Sequence, residues 1–240
     1  PAVRLCWIFF LLFLPVQGLI AENIFYEFGP KTDKVIVFTA SAGSDNQATA
    51  ITLQLQKYAQ KLSVDAPDTH IIVAVTKNDI SELPEDVPVK RYEGTKALIQ
   101  TLITYPNAAV CLIAADKSDG ARIITGTSKG TTPAWFLKAV YTSLEQKNIP
   151  VDFYTNAVVF HRLGWLPDDP ALRLYNEANI PAIKIETGAD LPDFFSLVAP
   201  AVIQDMSNEW DTHYFVLKLH KKLVIISEQH IVITLIVSSI

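Results

Sequence analysis

The chain reads as an α/β domain, a mostly parallel twisted sheet with helices on both faces. Two observations predict it: short apolar segments rich in β-branched residues, and amphipathic segments at helical spacing that alternate with them. A third is punctuation, since Gly, Pro, Asp or Asn bounds nearly every segment. KVIVFTA (34–40), HIIVAVT (70–76), AAVCLIAA (108–115), ARIIT (121–125) and PAIKIE (181–186) are the predicted strands. Several are apolar throughout, the pattern of strands covered on both faces.

Between the first two strands, Ala48, Ile51, Leu55, Tyr58 and Leu62 fall on one helical face, with Ser44 or Asp45 placed to cap the N-terminus. GTKALIQTLITY (94–105) and PAWFLKAVYTSLEQKN (133–148) repeat the pattern, and the second opens on Pro133 in a first-turn position. The long acidic stretch from Lys77 to Gly94 is the expected surface excursion.

Both ends are apolar. After Arg4, residues 5–21 form a run of signal-sequence length, with Gly18 and Ala21 near its end. The expectation is a signal peptide or signal anchor at 1–21, an α/β domain at 22–212, and a C-terminal segment at 213–240 whose final run, HIVITLIVSSI, reads either as the start of a transmembrane span or as a last buried element. That organisation sends the domain to the exported or lumenal side of a membrane, anchored to it. A net charge of -5 argues against nucleic acid as partner, because phosphate binding needs a basic face. Of the two cysteines, only Cys111 lies in the domain, so no disulfide within it is expected, and its place in an apolar strand argues against a reactive thiol.

In open α/β sheets function gathers in the loops at the carboxyl ends of strands. There SDNQATA (44–50) leads into a helix, GTKALIQTL opens another, and LYNEANIPAIKIE (174–186) runs from a helix into a strand. Together with the order of elements from about Lys34 to Glu186, these phrases resemble the co-catalytic zinc aminopeptidases of the M28 type, a three-layer sandwich of the zinc aminopeptidase/phosphorylase kind. That fold also occurs without metal in the transferrin receptor and nicastrin ectodomains and in the membrane subunit of the GPI transamidase.

The resemblance implies two zinc ions held by a His, a bridging Asp, a Glu, a later Asp and a late His, with an adjacent Glu as general base. Carried onto this chain, the first His falls on Ser41 and its orienting Asp on Gly43, while Asp45 matches the bridging Asp. The Glu pair falls on Asn78 and Asp79, the later Asp on Ala114 or Ala115 with Asp116 just beyond, and the late His on Leu172. Serine and leucine do not replace imidazole at zinc, and an amide accepts no proton from metal-bound water. The vestigial site is thus Ser41, Asp45, Asn78, Asp79, Asp116 and Leu172, with no catalytic residue and no cofactor expected.

The reading that follows is a catalytically inactive, peptidase-like ectodomain that binds or scaffolds a protein or peptide at a membrane. The alternative is a divergent metal-dependent hydrolase with a rebuilt site of Asp45, Asp79, Asp116 and His161, three carboxylates favouring a hard cation. Asp45 also suits a plain helix cap, and His161 a half-buried polar neighbour. Ser41 and Ser44 follow a strand but lack the Gly-x-Ser-x-Gly elbow, and GTSKGTT lacks phosphate-loop spacing. Trp165 and Leu166, beside Pro167, are candidates for an exposed apolar contact.

Overall fold

The computed structural model describes residues 23–42, 46–77, 79, 92–116, 120–153, 157–188, 191–206, 212–219, 222–228, 233 and 237. The expectations for residues 1–21, for Gly43, Ser44, Asp45 and Asn78, and for most of the final apolar run lie outside them.

Strands β1 (Ile24–Phe28), β2 (Lys34–Ser41), β3 (His70–Thr76), β4 (Asn107–Ala115), β5 (Ala121–Ile124), β8 (Val151–Asp152) and β9 (Ala182–Thr187) form one sheet in the order β1-β3-β2-β4-β9-β5-β8. The β3, β2, β4 and β9 strands are mutually parallel. Both flanks depart from that rule, because β1 runs antiparallel to β3 and β5 antiparallel to β9. Chain length gives the reason. Residues 29–33 join β1 to β2 and residues 116–120 join β4 to β5, too few for the crossover that a parallel return requires. Gly29 makes the first of these turns at φ +79°, where a Cβ would stand 2.1 Å from the Thr69 carbonyl oxygen.

The central strands are apolar on both sides because two cores sandwich them. Ile36, Phe38, Ile71, Val73, Cys111, Ile183 and Ile185 face helices α1 (Asn46–Val64), α3 (Ala134–Gln146) and α6 (Pro192–Asp205). Val35, Val37, Ile72, Ala74, Val110 and Ala182 face α2 (Glu93–Leu102) and α5 (Pro170–Glu177). Phe38, Tyr58 and Phe195 meet at ring separations of 4.9 to 5.7 Å and tie β2 to α1 and α6. Lys34 Nζ donates to the carbonyls of Ile203 and Met206, closing the C-terminus of α6.

Two hairpins stand beside the sheet. One, β6 (Gly126–Thr127) with β7 (Gly130–Thr131), lies between α5 and the short helix α4 (Ala157–Arg162). The other, β10 (Tyr214–Leu219) with β11 (Lys222–Ser227), packs on α3, and the buried Tyr214 hydroxyl donates to the Thr132 carbonyl at 2.7 Å. Among the described residues no helix is long and apolar enough to cross a membrane.

Candidate functional site

The parallel strands end together. Ser41 pairs with Thr76 across β2 and β3, and Ala115 with Thr187 across β4 and β9. Ser41 is exposed at the tip of β2. Hydrogen bonds from Ala42 N to Thr76 O, from Asp116 N to Thr187 O and from Thr187 Oγ1 to Gly120 O knit the exits of the strands to one another.

Asp79 follows β3, and both of its carboxylate oxygens are engaged. Oδ1 accepts from Thr95 N at 3.0 Å and Oδ2 from Thr95 Oγ1 at 2.8 Å. Thr95 is the third residue of α2, whose first amides have no partner within the helix, and the Tyr92 side chain at its N-cap does not cap them. Asp79 therefore caps that helix from outside it. A second link fixes the same junction: Asn23 accepts from Lys77 N and donates to the Gly94 carbonyl. Gly94 fits so closely that a Cβ there would lie 2.2 Å from the Lys77 carbonyl oxygen. The fully buried Tyr175 of α5 lies near Asp79; burial pushes its phenol pKa up, and the carboxylate pushes it the same way.

The remaining candidates have other neighbours. Leu172 is fully buried in the core between the sheet, α2 and α5. Asp116 lines an open depression with Gly120, Arg122, Pro150 and Asp152. His161, on α4, is 7% exposed, its Nδ1 has no hydrogen-bond partner among the described residues, and a Cβ on Gly126 would lie 3.7 Å from its own Cβ. Burial holds its imidazole below the ordinary pKa of 6.5, with Asp168 pulling the other way. Asp79, Asp116 and His161 thus belong to three separate environments. Among the described residues, no three or more His, Cys, Asp or Glu side chains come together as a metal site would need. Cys111 is fully buried, and burial pushes its thiol pKa far up.

The adjacent aspartates of the PDDP phrase both hold structure. Asp168 Oδ1 accepts from Ser128 N at 2.7 Å, so it fastens the tip of the β6–β7 hairpin. Asp169 caps α5 through Leu172 N at 2.9 Å and meets Lys184 Nζ at 2.6 Å. From there charges alternate along one sheet face: Lys184 reaches Glu186 at 2.9 Å, and Arg122 lies 3.7 Å from both Glu186 and Asp152. Burial works against the Lys184 charge, yet Asp169 and Glu186 outweigh it and raise the ammonium pKa. The sequence signal was the alternation of Lys184 and Glu186 with isoleucines in PAIKIE, since period two puts both charges on one face. Trp165 is 71% exposed and stacks on Phe160 at 5.6 Å, with Leu163 also exposed.

The frame is therefore an α/β sandwich with a largely parallel central sheet, its polar groups at the strand tips drawn into the scaffold. The family model TP_0564_1st, which describes a first domain, matches residues 20–226, and the chain belongs to that family. An uncharacterized protein of Treponema pallidum (strain Nichols) is 36% identical over 212 residues, 88% of this chain and 31% of the relative, so the chain spans about a third of that relative's length. Among solved structures, an Acidobacteriales bacterium glutaminyl cyclase is similar at a TM-score of 0.49 and 15% identity, over 77% of this chain and 67% of that one. A leucine aminopeptidase precursor from Bacteroides thetaiotaomicron is similar at a TM-score of 0.47 and 14% identity, over 79% and 78%. At these identities the likeness concerns the fold alone.

Proposed function

We propose that the chain is a non-catalytic, peptidase-like domain of a longer, membrane-associated protein, and that it holds a protein or peptide partner on the exported or lumenal side. One observation carries the reading: both oxygens of Asp79, the carboxylate left where the zinc aminopeptidases place their adjacent glutamates, bind the start of α2. A carboxylate that receives a backbone amide and a hydroxyl at the start of a helix serves as its cap, and that use accounts for an acidic residue here without a metal or a proton to accept. Serine at position 41 and a buried leucine at position 172 fit the same reading, because neither offers an imidazole. The exposed Trp165 and Leu163 supply a surface that suits a partner better than a substrate cleft does.

Assays of the purified chain on chromogenic aminoacyl substrates, with added zinc, manganese or calcium, test this directly. No turnover is expected in any of the three. Turnover that Asp45→Ala abolishes would establish the rebuilt metallohydrolase instead.

A further inference from the structure

Side chains hold the edge strand β1 to the sheet at both of its ends. At its start Asn23 accepts from Lys77 N and donates to the Gly94 carbonyl, and near its end Glu27 reaches a buried histidine. Tyr26 and Phe28 pack against the core on the α1 side of the sheet, so alternation leaves the α2 side with Phe25, which is exposed, and Glu27. His70 opens β3 and is fully buried. Its Nε2 lies 2.7 Å from Glu27 Oε1, and its Nδ1 lies 3.5 Å from the Thr32 carbonyl oxygen in the turn between β1 and β2. Tyr105, just beyond α2, meets the imidazole edge-on with ring centroids 5.5 Å apart, and its hydroxyl donates to Glu27 Oε1 at 3.2 Å. Lys31 Nζ stands 3.3 Å from the other oxygen, Oε2. From β2 the register partner of His70 is Val35. The surrounding elements thus present Glu27, Lys31, Tyr105 and an apolar Val35 to this pair.

We infer that His70 and Glu27 form a proton-dependent clasp, which fastens β1 to the sheet when the imidazole is charged and loosens it when the imidazole is neutral. Both ring nitrogens face an oxygen that accepts. The imidazolium has an N–H for each, and its bond to the carboxylate is charge-assisted; the neutral ring has a single N–H and leaves one of the two oxygens facing a lone pair. Burying a charged ring is costly, and the carboxylate at 2.7 Å is the partner that offsets the cost. Topology gives the clasp its consequence. Because β1 covers the outer side of β3, loosening β1 uncovers the hydrogen-bonding edge of that strand. His70 begins β3 and Thr76 ends it, so the clasp lies at the far end of the strands from Ser41 and Thr76. It is therefore independent of whether the strand tips turn over a substrate.

Amide hydrogen exchange of the full chain tests the clasp from about pH 8 down to about pH 5.5, the span in which a histidine commonly changes charge. Rates are expressed as protection factors, so that the pH dependence of intrinsic exchange cancels. Burial raises the Glu27 pKa, but His70 and Lys31 outweigh it and hold the carboxylate below the ordinary 4.5, so it stays ionised throughout. Tyr105 keeps its proton, because burial and Glu27 both push its pKa up. In the wild type, protection of Ile24–Phe28 should rise about tenfold on acidification, the difference between a charge-assisted and a neutral hydrogen bond. In His70→Gln it should stay level. Glu27→Gln, whose side chain lies at the surface, should also stay level, and it carries the test should the buried His70 variant not fold. Wild-type protection that stays level or falls on acidification overturns the clasp, as does a rise of the same size in Glu27→Gln.

Discussion

His161 shows how little room this fold leaves for a spare proton acceptor. Its ring is buried beside Gly126, and desolvation disfavours the charged form more than the Asp168 carboxylate favours it. The native state therefore takes up this proton at lower pH than the unfolded chain, whose imidazole titrates near the ordinary 6.5. Its contribution is fully present above 6.5 and is lost as the pH falls through the depressed native value. Urea unfolding of the wild type and of His161→Gln from about pH 7 down to about pH 5 should show the wild type losing stability relative to the variant. If the wild type gained instead, Asp168 would be holding an imidazolium. At this scale the sequence was only partly legible. A histidine seven residues before Asp168 reads equally as ligand or as buried neighbour, and burial is a property of packing that no local pattern encodes.

Among the elements, the central strands were readable and the flanks less so. β2, β3 and β4 are apolar throughout because both faces are covered, and this leaves a plain mark in the sequence. β1 gives no such mark: it is a short edge strand on which half-buried and exposed residues alternate. The antiparallel return of β5 is set by the short connection before it, since a strand's own residues do not encode its direction. The capping of α2 was hidden for a related reason, as Asp79 and Thr95 are sixteen residues apart across the acidic excursion. Replacing Asp79 with Ala should remove that cap and cost about 1 kcal/mol. Faster hydrogen exchange is then expected in the first turn of α2, with β2 and β4 unchanged. Unaltered exchange in α2 would mean that the helix does not depend on this carboxylate.

For the molecule as a whole, polar groups concentrate where the apolar sandwich ends. Asp79 fastens a helix at the strand tips, and Lys184 and Arg122 pair with Asp169, Glu186 and Asp152 along the flank of β9, β5 and β8. These contacts hold the fold together, and on the proposed reading the carboxylates at the tips of the strands stabilise it without a cation. A ligand that binds the native state alone raises its unfolding temperature, and removing a bound one lowers it. The most direct measurement is the metal content of the purified chain, taken with its thermal unfolding midpoint in zinc and in chelator. The account predicts no metal in stoichiometric amount and one midpoint under both conditions. Zinc retained mole for mole, with a midpoint that falls in chelator, would contradict it.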